Sequence, residues 1–506
     1  MGQRLVSLYR LTHPLKRDYL PVWRSFPNHS QMFLKGIYWD FLEKFLNQGI
    51  GLLVSVILAR ILTPEDFGLI GMVMAIVSFA QVFIDMGFST ALVQKQDISE
   101  EQYATVFYLN IGIGIFLTVL VFSLSGVISA FYKEPILSPL VKGISPLFLI
   151  NSLTLIQTAK YLKEINLKPL TIYRGVAVTI SGIVGIGMAY SNFGVWSLVG
   201  QVLLNAIAFT LLVWLLSPWR PMRYFNLASI GALWNYGSKI FLPSLIENLF
   251  SRLDVFIIGK LFSAHSLGYY TRAQSLNNIV IQYSSASLTR VFFSVVSKHQ
   301  QDTGRVVEVY QNALIAVSFL AFGLMGILFV SAENIILLLF TEKWVASIDY
   351  FRIMLLSAYA YPLSSIMVNV ISGRGNSSAF LRLDILKKTL LLLVFIIGFQ
   401  ISIKAFLYGF ALFSFLSVLL NMYFVSREIQ LSMMKQLGMV LPYLLVAIIS
   451  GVSAALLQAY LPLPRVLQFL VEAGTVAIVY LLLNLLLNTK AFRLLKGKFM
   501  RSTDKP

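Results

Sequence analysis

The chain has no cysteine, only four histidines and few charged residues. Without cysteine it can form neither a disulfide framework nor a thiolate nucleophile. His13, His29, His265 and His299 do not fall at metal-ligand spacing, so no metal or other cofactor is expected. No G-x-x-x-x-G-K-[ST] stretch occurs, which excludes ATP hydrolysis by a phosphate-binding loop, and the GRGNS stretch at 373–377 is too short a signal to replace it. No G-x-S-x-G elbow is present either. Charged residues make up 12% of the 506 positions, about half the share in an ordinary soluble chain.

Apolar residues fill the space left by charge. They make up 57% of the chain, and the mean hydropathy is +0.77. Apolar runs long enough to cross a bilayer recur from about residue 45 to 488. They do not alternate in polarity, which excludes a barrel and leaves helices. The expected fold is an all-α polytopic membrane protein with about fourteen transmembrane helices. A net charge of +18 in such a chain reflects orientation, and no nucleic-acid partner is expected.

Gly, Pro and charge clusters divide the sequence. Residues 1–36 form a basic segment broken by Pro14, Pro21 and Pro27, without the apolar core of a signal peptide. Six spans follow in 37–216, then a linker at 217–230, six more spans in 231–426, two in 437–488 and a basic tail at 489–506. Lys and Arg collect in alternate connecting segments, which argues that both termini are cytoplasmic.

The stretch VILARILTPEDFGLIGMVMAI (56–76) has one polar knot in an apolar run. It reads as a tight outer turn between spans one and two. Thr63 can cap the second helix, Pro64 suits its first position, and Asp66 can complete a capping box. Arg60 is expected to reach lipid headgroups. A shift of 200 positions brings Arg60 onto Lys260, Thr63 onto Ser263 and Gly68 onto Gly268 in GKLFSAHSLGYY (259–270). Two six-helix lobes related as parallel repeats follow, an arrangement typical of secondary transporters. Trp196, Trp219, Tyr269 and Tyr270, near span ends, read mostly as interfacial anchors.

Four stretches together resemble the polysaccharide exporter (Wzx-type flippase) family of the superfamily that includes the MATE transporters. They are LARILTPEDFGLIGMV (58–73), DMGFSTALVQKQDISEEQYATVFYLNI (85–111), GVWSLVGQ (194–201) and IGKLFSAHSLGYYTRAQSL (258–276). The subgroup handling colanic- or teichuronic-acid-type polysaccharide is the most similar. The resemblance implies a MATE-like, two-lobed transporter in the bacterial inner membrane. It would move undecaprenyl-pyrophosphate-linked oligosaccharide from the cytoplasmic to the outer leaflet by alternating access, without enzymatic activity of its own. Its implied partners are that lipid-linked oligosaccharide, membrane lipid, and a polysaccharide polymerase with its export machinery.

Such cargo is anionic and needs a hydrated, partly cationic cavity. Ionisable residues inside spans are the natural candidates, because they usually face the bundle interior or water. Span one carries Asp40, Lys44, Asn47 and Gln48 at helical spacing, and span seven carries Lys239, Glu247, Asn248, Arg252 and Asp254. Lys44, Lys239 and Arg252, with Asn47, Gln48 and Asn248, are the expected pyrophosphate and sugar contacts. Asp40, Glu247 and Asp254 are expected to serve charge balance or ion coupling, and Glu247 or Asp254 can instead bridge Arg252. Pro243 is a candidate hinge. Two other readings stand beside this one: an ion-coupled multidrug-type exporter of amphipathic cations, and a membrane polymerase or ligase acting on lipid-linked glycan.

Overall fold

The computed structural model describes residues 27–493, with side chains except those of 27–38, 40–41, 282–291 and 294. The described chain is helical. Its elements are α1 (Pro27–Ile61), α2 (Pro64–Asp85), α3 (Phe88–Gln94), α4 (Glu100–Ser123), α5 (Ser125–Tyr132), α6 (Leu137–Ile144), α7 (Leu147–Ser152), α8 (Leu155–Lys163), α9 (Leu167–Tyr190) and α10 (Trp196–Leu216). Then follow α11 (Gly231–Leu261), α12 (Ala264–Lys298), α13 (Thr303–Val330), α14 (Ala332–Phe340), α15 (Ala346–Ala358), α16 (Ala360–Gly373), α17 (Ser377–Ile401), α18 (Ile403–Ile429), α19 (Met433–Tyr460) and α20 (Arg465–Leu486).

This is a multi-pass membrane protein. Among the described residues, 10 helices are long and apolar enough to span a bilayer, or 11 when the bent pair at 137–163 counts as one. Three other long helices, α11, α12 and α17, fall short of the same test. They are the polar ones, and the expected count of about fourteen includes them.

Several helices start three or four residues before their apolar runs. The cause is capping. Ser99 and Gln102 form a reciprocal capping box at α4. Ser263, Asp302, Asn376 and Ser432 accept from backbone N–H groups at the starts of α12, α13, α17 and α19. A polar cap satisfies an orphan donor wherever the helix begins, so the first turn need not be apolar.

The contacts form two compact units whose boundaries cut through long helices. One comprises residues through Ser55, Ile76–Ala130 and Pro135–Leu249. The other comprises Val56–Ala75, Phe131–Glu134 and everything from Phe250 onward. The boundaries lie inside α1, α2, α5 and α11 and in the turn that follows α5.

In the first unit, a buried cluster of Phe88, Leu92, Tyr103, Phe107 and Trp219 joins α3, α4 and the linker. Glu100 ties it: its carboxylate accepts from Lys160 Nζ at 2.6 Å and from Trp219 Nε1 at 2.7 Å. Trp219 is therefore a buried hydrogen-bond donor, in place of the interfacial anchor expected from its position. Asp85 Oδ1 accepts from Ser89 N at 2.9 Å, and Met86 and Gly87 have positive φ, so the DMGFS stretch is a capped reversal.

In the second unit, α19 and α20 pack on α13. Gln436 accepts from Tyr310 at 2.7 Å and donates to the carbonyls of Met422 and Leu431, each at 3.0 Å. Tyr480 donates to the Phe319 carbonyl at 2.8 Å. The last two spans are thus held by buried polar bonds as well as by apolar contact.

Candidate functional site

The polar residues of α11 divide by exposure. Lys239, Glu247 and Arg252 are exposed, and none makes a hydrogen bond or ion pair among the described residues. Asp254 is buried on another side of the helix. Its carboxylate accepts from Gln274 Nε2 at 2.6 Å, from the Tyr270 hydroxyl and from the Val255 amide at 2.8 Å. Three hydrogen-bond donors satisfy this carboxylate. The expected bridges from Arg252 to Glu247 or Asp254 are therefore not formed. Tyr270 is buried and bonded, so its reading as an interfacial anchor is also corrected.

Asn248 is half-buried and donates to the Ser244 carbonyl one turn back at 3.2 Å. Pro243 lies in the exposed part of α11, which continues as helix through it. The boundary between the compact units falls just beyond, between Leu249 and Phe250.

On α1, Lys44 is exposed, and Asn47 and Gln48 are half-buried. Asn47 donates to the Glu43 carbonyl at 3.0 Å. The Asp40 side chain lies outside the described residues. Glu43 pairs with Arg174 of α9, which also stands 5.5 Å from the centre of the Phe209 ring.

Two cations were missed. Lys387 and Lys388 lie inside the span expected at 381–401 but were not among the expected site residues; α17 begins at Ser377 and carries both well inside a helix. Lys388 pairs with Asp384 at 3.0 Å and stands 5.8 Å from the centre of the Phe250 ring of α11. The signal that could have found them is that they are ionisable residues inside an apolar span.

The polar knot of 60–66 folds as its residues dictate. Thr63 N and Oγ1 donate to Asp66 Oδ2 at 2.9 and 2.8 Å, and Asp66 N donates back to Thr63 Oγ1 at 3.2 Å. Arg60 does something other than the expected headgroup contact. Its guanidinium donates to the carbonyls of Leu338 and Leu339 at the end of α14, with Nε 2.9 Å from the latter. In return, Lys343 Nζ donates to the carbonyls of Arg60, Ile61 and Leu62 at 2.7, 3.2 and 2.9 Å, and Trp344 Nε1 to that of Ala59 at 2.8 Å. Burial holds the Lys343 amine below the ordinary lysine range, and the Asp66 carboxylate partly offsets this. Arg272 lies 4.2 Å from the centre of the Phe67 ring, and Phe67 packs edge-on to the fully buried Trp344.

The 200-residue repeat appears as a reciprocal contact. A Cβ on Gly68 would lie 1.7 Å from the Ala264 carbonyl oxygen, and one on Gly268 1.7 Å from that of Pro64. The starts of α2 and α12 therefore cross backbone to backbone, glycine against carbonyl on both sides.

Comparison with known proteins agrees with this architecture. The chain is 25% identical over 427 residues to the lipopolysaccharide biosynthesis protein WzxC of Escherichia coli (strain K12), covering 81% of this chain and 85% of that protein. It is 24% identical over 483 residues to the teichuronic acid biosynthesis protein TuaB of Bacillus subtilis (strain 168), covering 93% and 99%. Its fold is similar to that of the lipid II flippase MurJ in an inward closed conformation, with a TM-score of 0.70, 15% identity and coverage of 88% of this chain and 98% of that one. It is also similar to an inward-facing multidrug resistance MATE family transporter of the MOP superfamily, with a TM-score of 0.60, 12% identity and coverage of 78% and 98%. Residues 57–349, which include the capped turn, the glycine crossing and the whole polar stretch of α11, match the sequence profile of a family described as polysaccharide biosynthesis protein, and the chain belongs to that family.

Proposed function

We propose that the chain is a flippase that carries undecaprenyl-pyrophosphate-linked oligosaccharide from the cytoplasmic to the outer leaflet of the bacterial inner membrane, in exopolysaccharide or lipopolysaccharide biosynthesis. Family membership and the names of its relatives support the substrate class. Both termini are cytoplasmic in this reading. The 37–216 and 231–426 lobes move relative to one another by alternating access, with Pro243 at the flexing point of α11. The protein moves its cargo chemically unchanged and acts with a polysaccharide polymerase and export machinery.

The observation that carries the reading is Arg252. It is exposed on the long polar helix α11 with no ion-pair partner among the described residues, two positions from an acid that is buried and hydrogen-bonded. A guanidinium held this way is costly in hydrocarbon and suited to water and phosphate oxygens. Lys239 shares its exposure and supplies a second point charge. Lys44 serves as a third cation, with Asn47, Gln48 and Asn248 as sugar contacts. Glu247 balances these charges, and Asp40 and Asp254 are assigned the same role. A multidrug-type exporter of cations is disfavoured because it would gain nothing from exposed, unpaired Arg252 and Lys239.

The test is leaflet accessibility. The purified protein is reconstituted with a fluorescent undecaprenyl-pyrophosphate oligosaccharide, and an impermeant quencher reports exchange between leaflets. Protein-dependent exchange, reduced in Arg252→Ala and Lys239→Ala, is expected. Exchange retained in both variants would refute this site. A changed glycan mass would point to an enzyme.

A further inference from the structure

We propose that Glu472 of α20 is a proton-binding site through which transport responds to pH; the coupling part rests on the flippase reading above. Glu472 is the buried carboxylate of the last span, 2% exposed. Nothing in the sequence reading singled it out.

Its surroundings are specific. Asn334 of α14, itself buried, sets its amide nitrogen 3.0 Å from each carboxylate oxygen. Near it stands Ser331, at the break between α13 and α14, whose buried hydroxyl makes no hydrogen bond among the described residues. Glu472 thus faces the first turn of α14, where backbone N–H groups point outward.

The charged groups around it can be named element by element. Helices α13 and α20 run antiparallel, since Tyr480 meets Phe319 while Glu472 meets Asn334. The charged residues of α13, Arg305 and Glu308, and that of α19, Lys435, therefore lie toward the far end of α20. From α14 and α15, Glu333 and Arg352 act on Glu472, and they pair with each other at 3.3 Å. On α20 itself, Arg465 lies about two turns away and pairs with Glu342.

Two opposed influences follow. Burial penalises the carboxylate, as does Glu333. The Asn334 amide, the start of α14 and Arg352 favour it. A group held between such influences changes state with small changes in its surroundings. When it takes a proton from water, the neutral acid has Ser331 Oγ as a ready acceptor. The route is short, because the side chains of Arg352 and Glu333 are 36% and 51% exposed. Burial of Asn334 and Glu472 at the α14–α20 contact makes the protonation state a determinant of how the last span docks.

The test uses full-length protein in lipid nanodiscs and in vesicles. Infrared titration from mildly acid to mildly alkaline pH is expected to show a protonated-carboxyl band in wild type that is lost in Glu472→Gln. Oligosaccharide exchange between leaflets is expected to vary with pH in wild type and to lose that dependence in Glu472→Gln, which keeps a polar group opposite Asn334. If the glutamine variant fails to fold, Glu472→Asp decides, with a shifted midpoint expected. The same band and the same pH profile in the variants would overturn the proposal. A titrating Glu472 band with no exchange in any protein would leave the proton site standing and sink the flippase reading. A titrating band with an unaltered pH profile would overturn the coupling.

Discussion

Arg60 and Lys343 cap each other's helices. Arg60 ends α1 and binds the last carbonyls of α14, while Lys343, in the turn after α14, binds the last carbonyls of α1. Helix C-termini present orphan carbonyls and partial negative charge, so a cation at each answers both needs. Replacing either by Met is expected to lower stability by about 1.5–3 kcal/mol, the range for hydrogen bonds to charged groups. The two losses should not add, because both act on one joint. Thermal melting of the single and double variants in one detergent measures the coupling. Full additivity would refute the shared joint.

The Gly68–Gly268 crossing has no room for any side chain. A Cβ at either position would meet backbone, which cannot rotate away. Gly68→Ala and Gly268→Ala are each expected to cost at least about 1–3 kcal/mol, the usual range for overpacking. Gly71→Ala is the control, since the nearest neighbours of its Cβ would be side chains, the Thr271 methyl at 3.3 Å and Leu267 at 3.7 Å. Equal melting temperatures for the three variants would contradict the crossing.

Asp254 and Arg252 should separate structure from transport. Asp254→Ala leaves the buried Tyr270 hydroxyl without its acceptor, at about 1–3 kcal/mol, and takes the shorter of two bonds from the half-buried Gln274 amide. Arg252→Ala removes an exposed group and should melt within about 0.5 kcal/mol of wild type. Exchange of lipid-linked glycan should instead fall in Arg252→Ala. Loss of stability in the arginine variant with full transport would invert the assignment.

Gly87 combines a φ of 79° with a close neighbour, since its Cβ would lie 2.3 Å from the Gly237 carbonyl oxygen. Gly87→Ala therefore suffers both backbone strain and a clash within the first unit. The expected result is poor recovery of folded protein by size-exclusion chromatography. Wild-type yield and melting would show that this approach is not obligatory.

The sequence by itself determined that this is a helical, multi-pass chain. Charge scarcity and unbroken apolar runs suffice, because lipid leaves the backbone no other way to satisfy its hydrogen bonds. Local chemistry was legible as well. Thr63, Pro64 and Asp66 cap a helix through contacts three residues apart, and the repeat at 260–268 stands in the sequence as written. What tertiary structure decided were the partners of polar side chains across long separations. Arg60 had a headgroup in reach by sequence and a helix end in fact. Asp254 and Arg252 looked like a bridge and face different surroundings. Lys388 was passed over because its aromatic neighbour, Phe250 of α11, is far from it in sequence. Glu472 was passed over because its partner, Asn334, lies 138 positions away. A polar group in a membrane helix must find a partner, but periodicity tells only which face it occupies, and packing alone tells what waits there.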